Sequence, residues 1–159
     1  MSNTIVAGLQ GNLQHAFSLL DAYIDACPDK IWGEKFGGWP VWQQYYHAFA
    51  VIPFFLRGPD EPEEVFPFAP LVGVLKETPD ITPDKGTIKA FADKMRDRAL
   101  AYASGLDDAA LSRKNEGLSK RFGRDMTHAG TLALIGSHLQ YHLGSCDAAL
   151  RENGIPGVF

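Results

Sequence analysis

Two cysteines, Cys27 and Cys146, stand in 159 residues, too few for a disulfide framework, and no Cys-x-x-Cys occurs. No apolar run approaches the roughly 20 residues of a membrane span. The opening MSNTIVAGLQGNLQHAF has no basic flank before an apolar segment, so no secretory signal is expected, and the two cysteines fit a reducing, cytoplasmic location. A basic excess is also missing: 15 Lys and Arg stand against 19 Asp and Glu, which disfavours nucleic-acid binding. No glycine-rich phosphate loop follows a strand-like segment, so nucleotide and flavin chemistry lack support. Leu139 follows His138, so there is no His-Glu-x-x-His, and no Glu-x-x-His pair exists for a di-iron centre.

What is present is ordinary for a globular chain, with 45% hydrophobic and 21% charged residues, and one domain over residues 1–159 is expected. Proline is the exception. Seven of ten fall between Pro53 and Pro83. Around that stretch four segments carry helical patterning. The first, Thr4 to Ala26, places Ile5, Val6, Leu9, Leu13, Phe17, Leu20 and Ile24 on one face. A loop rich in Gly and Trp follows. Pro40 suits the first turn of a second helix reaching Arg57, apolar almost all round and kinked by Pro53. Such a segment is central in the core or covered by a partner subunit.

Gly58 to Thr82 has no periodicity, and its length of about 25 residues fits a lid or crossover better than a slack loop. Thr82-Pro83-Asp84 reads as the start of a third helix, with Thr82 as cap, running to Ser104 with Ile88, Phe91, Met95, Ala99 and Tyr102 inward. A basic connector, Gly105 to Arg124, leads to a fourth helix from Met126 to Asn153 capped by Asp125. No strand pattern competes. The fold class is all-α, a four-helix bundle with long crossover connections.

The fourth helix carries His138 and His142, four residues apart and so about 40° apart around the axis. They border the apolar face that holds Leu132, Ile135, Leu139 and Cys146. Two imidazoles so placed can converge on one metal ion, with His47 of the second helix as third ligand. Three neutral imidazoles with a position left open are the layout of catalytic zinc, and nickel or iron would accept it. An isolated pair at this spacing also arises by chance as core or surface histidines. His15 lies opposite its helix's apolar stripe, and His128 is about 15 Å along the helix from His138. Cys146 reads as packing. Gln43, Gln44, Tyr46 and Tyr141 are candidates to orient ligands or substrate, and serve equally as packing or surface. Trp39 and Trp42 either wall a pocket mouth or pack where the loop enters the second helix.

Two blocks, Phe36-Gly-Gly-Trp-Pro-Val-Trp-Gln-Gln-Tyr-Tyr-His47 and the helix-four run from Ser137 to Gly154, resemble the DinB-like superfamily of four-helix-bundle metalloproteins. The resemblance implies His47, His138 and His142 as ligands of a divalent metal, usually zinc or nickel. It also implies a long crossover between helices two and three, and a homodimer. Characterised members include thiol S-transferases that use low-molecular-weight thiols, and some hydrolases or isomerases. The expectation is a metal-dependent thiol S-transferase acting on small electrophiles. The alternatives are a hydrolase at the same site and a non-catalytic homodimeric binding module. Family likeness fixes a site better than a substrate.

Overall fold

A computed structural model describes residues 3–159. In chain order the elements are α1 (Thr4–Ala26), α2 (Asp29–Trp32), β1 (Lys35–Phe36), β2 (Trp39–Pro40), α3 (Val41–Ala50) and α4 (Ile52–Leu56). Then follow α5 (Pro70–Gly73), α6 (Lys85–Ser104), α7 (Asp108–Leu111), α8 (Glu116–Phe122) and α9 (His128–Glu152). The fold is all-α, and among the described residues no helix is long and apolar enough to cross a membrane.

Long helices α1, α6 and α9 surround a core with α3. Phe17 stacks on Phe49 at 5.9 Å and Tyr23 on Tyr45 at 6.3 Å, so α1 and α3 run antiparallel. Gln10 Nε2 donates to the Ala103 carbonyl while Asp21 pairs with Lys89 and Arg96, so α1 and α6 are antiparallel too. It follows that α3 and α6 are parallel. Two parallel helices consecutive in the bundle cannot be joined by a hairpin, and the proline-rich segment is the return path along their length.

That crossover is fastened to α3. Gln43 is fully buried, and its Nε2 donates to the carbonyls of Val72 (3.0 Å) and Glu77 (2.5 Å). Its Oε1 accepts from Thr78 Oγ1 at 2.9 Å. Phe68 packs on Trp42 at 5.5 Å and Tyr46 at 5.2 Å, and Glu64 bridges to Lys94 and Arg98 of α6. The all-round apolar character of α3 is thereby accounted for within one chain, by α1, α6, α9 and the crossover.

Several boundaries differ from the sequence expectation, each for a local reason. Helix two is broken at Val51 rather than only kinked, and Pro53 sits in the first turn of α4, where its missing N–H costs nothing. Pro40 precedes α3 and pairs in a two-residue antiparallel ladder, Lys35 with Pro40 and Phe36 with Trp39. Gly37 and Gly38 turn that hairpin at φ of 60° and 92°, a geometry that favours glycine. Asp84, not Thr82, caps α6, its carboxylate accepting from the Thr87 amide at 2.8 Å. Asp125 is drawn instead to Lys114 at 2.8 Å. The Lys114–Thr127 bridge keeps the chain extended until Thr127, whose hydroxyl caps α9. Ile5 is 63% exposed because the inward stripe of α1 begins at Val6. The second connector holds two short helices, α7 and α8, each capped by its own Asp or Asn side chain.

Replacing Gln43 by Leu removes three hydrogen bonds to the crossover and leaves the carbonyl of buried Val72 without its partner. A loss of about 2–4 kcal/mol in urea unfolding is expected. Amide exchange across residues 72–78 should accelerate with it. Unchanged exchange there would mean the crossover is held by other contacts.

Candidate metal centre

Helix α9 presents His138 and His142 one turn apart on one side, and antiparallel α3 brings His47 against them. The ring centroids lie 5.0 Å apart for His47–His138, 4.5 Å for His47–His142 and 4.6 Å for His138–His142. One ligand nitrogen from each falls within 4.8 Å of the others, a group that can hold a metal ion. His142 is buried, and His47 and His138 are half-buried. Phe55 of α4 meets His138 edge-on at 5.8 Å, and the largely exposed Tyr141 meets His142 at 5.0 Å.

The hydrogen bonds fix which nitrogen is free. His47 Nδ1 lies 2.7 Å from the Gly73 carbonyl, which can only accept, so Nδ1 carries the hydrogen and Nε2 keeps its lone pair. A carbonyl behind a ligating histidine is the usual way its ring is oriented. His138 Nε2 and His142 Nδ1 are buried with no hydrogen-bond partner. Orphaned polar atoms of this kind are costly, and a metal ion is a natural partner for such nitrogens. The residues therefore fit a divalent cation with nitrogen preference.

Electrostatics agree. Burial pushes the His138 imidazole down to about 4, with His47 adding to the effect. His142 falls to about 3 through burial and then its two neighbours. His47 is lowered by burial, partly opposed by its bond to Gly73. All three are neutral near pH 7, the form that binds metal.

Other positions singled out by sequence fall elsewhere. Gln43 touches the crossover rather than a histidine, and Gln44 is buried with its Nε2 donating to the Phe36 carbonyl at 2.5 Å. Trp42 is not at a pocket mouth: it is fully buried between Tyr46 and Phe68 because α3 points that face inward. Trp39 is half-buried in the hairpin, and Tyr46 packs against Phe91. Tyr141 alone of these reaches the histidines. His15 is exposed, His128 lies 2.5 Å from the Tyr102 hydroxyl, and Cys146 is packed in the core. Sequence reading missed Gly73 and Phe55. Gly73 acts through its backbone and left no signal, whereas Phe55 was visible only as one more apolar residue.

Beside the centre lies a cleft of about 380 Å³ between α4 and the crossover. Gly73 and Phe55 line it, and these are the groups that touch His47 and His138.

An all-α bundle with a crossover between parallel second and third helices, and three histidines meeting from two of its helices, defines the class. The chain belongs to the DinB superfamily, whose sequence model matches residues 12–146. Its fold is similar to the crystal structure of a DinB-like protein from Bacillus cereus ATCC 10987, with a TM-score of 0.65 and 22% identity over 96% of this chain and 97% of that one. No match was found among curated proteins.

A pH dependence follows for metal-free protein. Unfolding returns each imidazole to its ordinary pKa near 6.5 from the depressed native value. Between those values the unfolded chain binds more protons, so stability is complete above about pH 6.5 and is lost as pH falls. The urea midpoint should drop between about pH 7 and 5, with uptake of about two protons on unfolding near pH 5. The slope should flatten in a His138→Gln, His142→Gln double variant. A wild-type slope no steeper than the variant's would contradict neutral burial.

Proposed function

We propose that this chain is a metal-dependent thiol S-transferase acting on small electrophiles, with zinc or nickel held by His47, His138 and His142. The observation that carries the reading is the convergence of three neutral imidazoles, two with buried unpartnered nitrogens, beside an apolar cleft. A bound divalent ion would supply the positive charge that lowers the pKa of a thiol brought to it.

The chain's own contributions are positional. Gly73 holds the His47 ring through Nδ1, and Phe55 packs edge-on against His138. Tyr141, exposed over His142, stands where a soluble thiol would arrive. In the transfer, the thiolate sulfur forms a bond to the electrophilic carbon and the carbon–leaving-group bond breaks. The leaving group takes the electron pair, and the thiol proton passes to water. No carboxylate belongs to the three-histidine group.

Untagged protein reconstituted with zinc or nickel should carry one ion per chain by elemental analysis, and His47→Ala and His142→Ala should lose it. Loss of a test electrophile should then require added thiol and should collapse in both variants. Failure to bind a stoichiometric ion would falsify the proposal. Turnover with water alone would make the chain a hydrolase, and a bound ion without either reaction would make it a binding module.

A further inference from the structure

The cleft beside the centre has walls of two origins. Ala50, Val51, Pro53, Phe54 and Phe55 come from the end of α3 and from α4, while Phe66, Pro70, Gly73 and Val74 come from the crossover. Its volume, about 380 Å³, lies in the range of small-molecule sites. The mouth is apolar as well, since Phe54 and Val74 are 42% and 49% exposed.

Three charged residues also line it, and each is already engaged. Arg57 Nη1 pairs with Glu63 Oε1 at 3.2 Å. Glu64 is held by Lys94 at 2.7 Å and Arg98 at 2.5 Å. The Gly73 carbonyl accepts from His47. A ligand entering the cleft therefore meets apolar carbon and no uncommitted charge. A carboxylate or ammonium buried there would lose its hydration without a partner.

We infer that this cleft receives the apolar body of a neutral electrophile, seated against Gly73 and Phe55, the groups that touch His47 and His138. A polar thiol has no such complementarity to this cleft. The inference rests on the transferase reading for its reaction, but the binding it asserts does not require the metal. It assigns the crossover a wall of the substrate site as well as a topological task.

The test uses the whole protein, metal-free and reconstituted, titrated with the neutral fluorophore 1-aminoanthracene. Saturable binding to one site per chain is expected in both forms. Displacement by neutral 1-alkanols should strengthen about three- to fourfold per added methylene until the cleft is filled. Carboxylates of equal length should displace more weakly. Val74→Trp, at a half-exposed position of the crossover wall, should weaken the fluorophore at least tenfold, whereas Val74→Ala should stay within a few-fold of wild type. Val51→Phe, on the helical wall, gives the same reading if Val74→Trp does not fold. Absence of saturable binding, no dependence on chain length, tighter binding of carboxylates, or indifference to both wall-filling variants would each overturn the inference. Elemental analysis of the same samples keeps the two ideas apart: absent metal with intact fluorophore binding removes the transferase reading and leaves the cleft, and the converse result does the reverse.

Discussion

Parallel packing of α3 against α6 is the constraint on which the rest of the molecule depends. Both helices run opposite to α1, as the Phe17–Phe49 and Tyr23–Tyr45 stacks and the Gln10–Ala103 hydrogen bond show. The chain leaving α4 must therefore travel back along the bundle before α6 can begin. A free strand of that length would carry unpaired backbone groups across an apolar helix. Gln43 resolves this by pairing with Val72, Glu77 and Thr78, and His47 pairs with Gly73. One topological requirement thus places a carbonyl behind a histidine and closes one side of a cleft.

How much of this could be read beforehand varies with the kind of interaction. The long helices and the paired faces of His138 and His142 follow from helical spacing, which is local and strong. A disturbance at Pro53 is local as well, though the expected kink is a full break at Val51. Boundaries decided by competition were not legible. Asp125 was an equally good cap for α9 until Lys114 claimed it, and Thr127 remained. The Gly37-Gly38 hairpin is too short for strand periodicity to register, although the glycine pair is its signal. Gly73 lay beyond reach for a different reason: its contribution is a backbone carbonyl, and nothing in a residue's identity announces where its carbonyl points.

The fully buried aromatics of α3 show how one reading can be right about burial and silent about its cause. Tyr45, Tyr46, Trp42 and Phe49 surround the helix, which calls for cover on every side. A second copy of the chain would provide it, but so does the crossover through Phe68, alongside Phe91 and Phe17 of α6 and α1. Composition states how much surface must be buried. It does not state what buries it.

The histidine group is a place where stability is set against function. A buried polar atom without a partner costs about 1–3 kcal/mol, and His138 and His142 each have one. Apolar residues of similar size at these positions would remove the cost and suit the walls offered by Phe55 and α3. The group is also poorly suited to a proton-switching role in the native state, since burial and mutual repulsion hold it neutral well below the ordinary histidine range. What neutral, preoriented, unpartnered imidazoles do well is donate lone pairs to a cation. The Gly73 bond strengthens that capacity by committing Nδ1 of His47 and leaving Nε2 as the free donor. Because all three donors are uncharged, a bound divalent ion would keep most of its positive charge available to an anionic fourth partner, a thiolate among them.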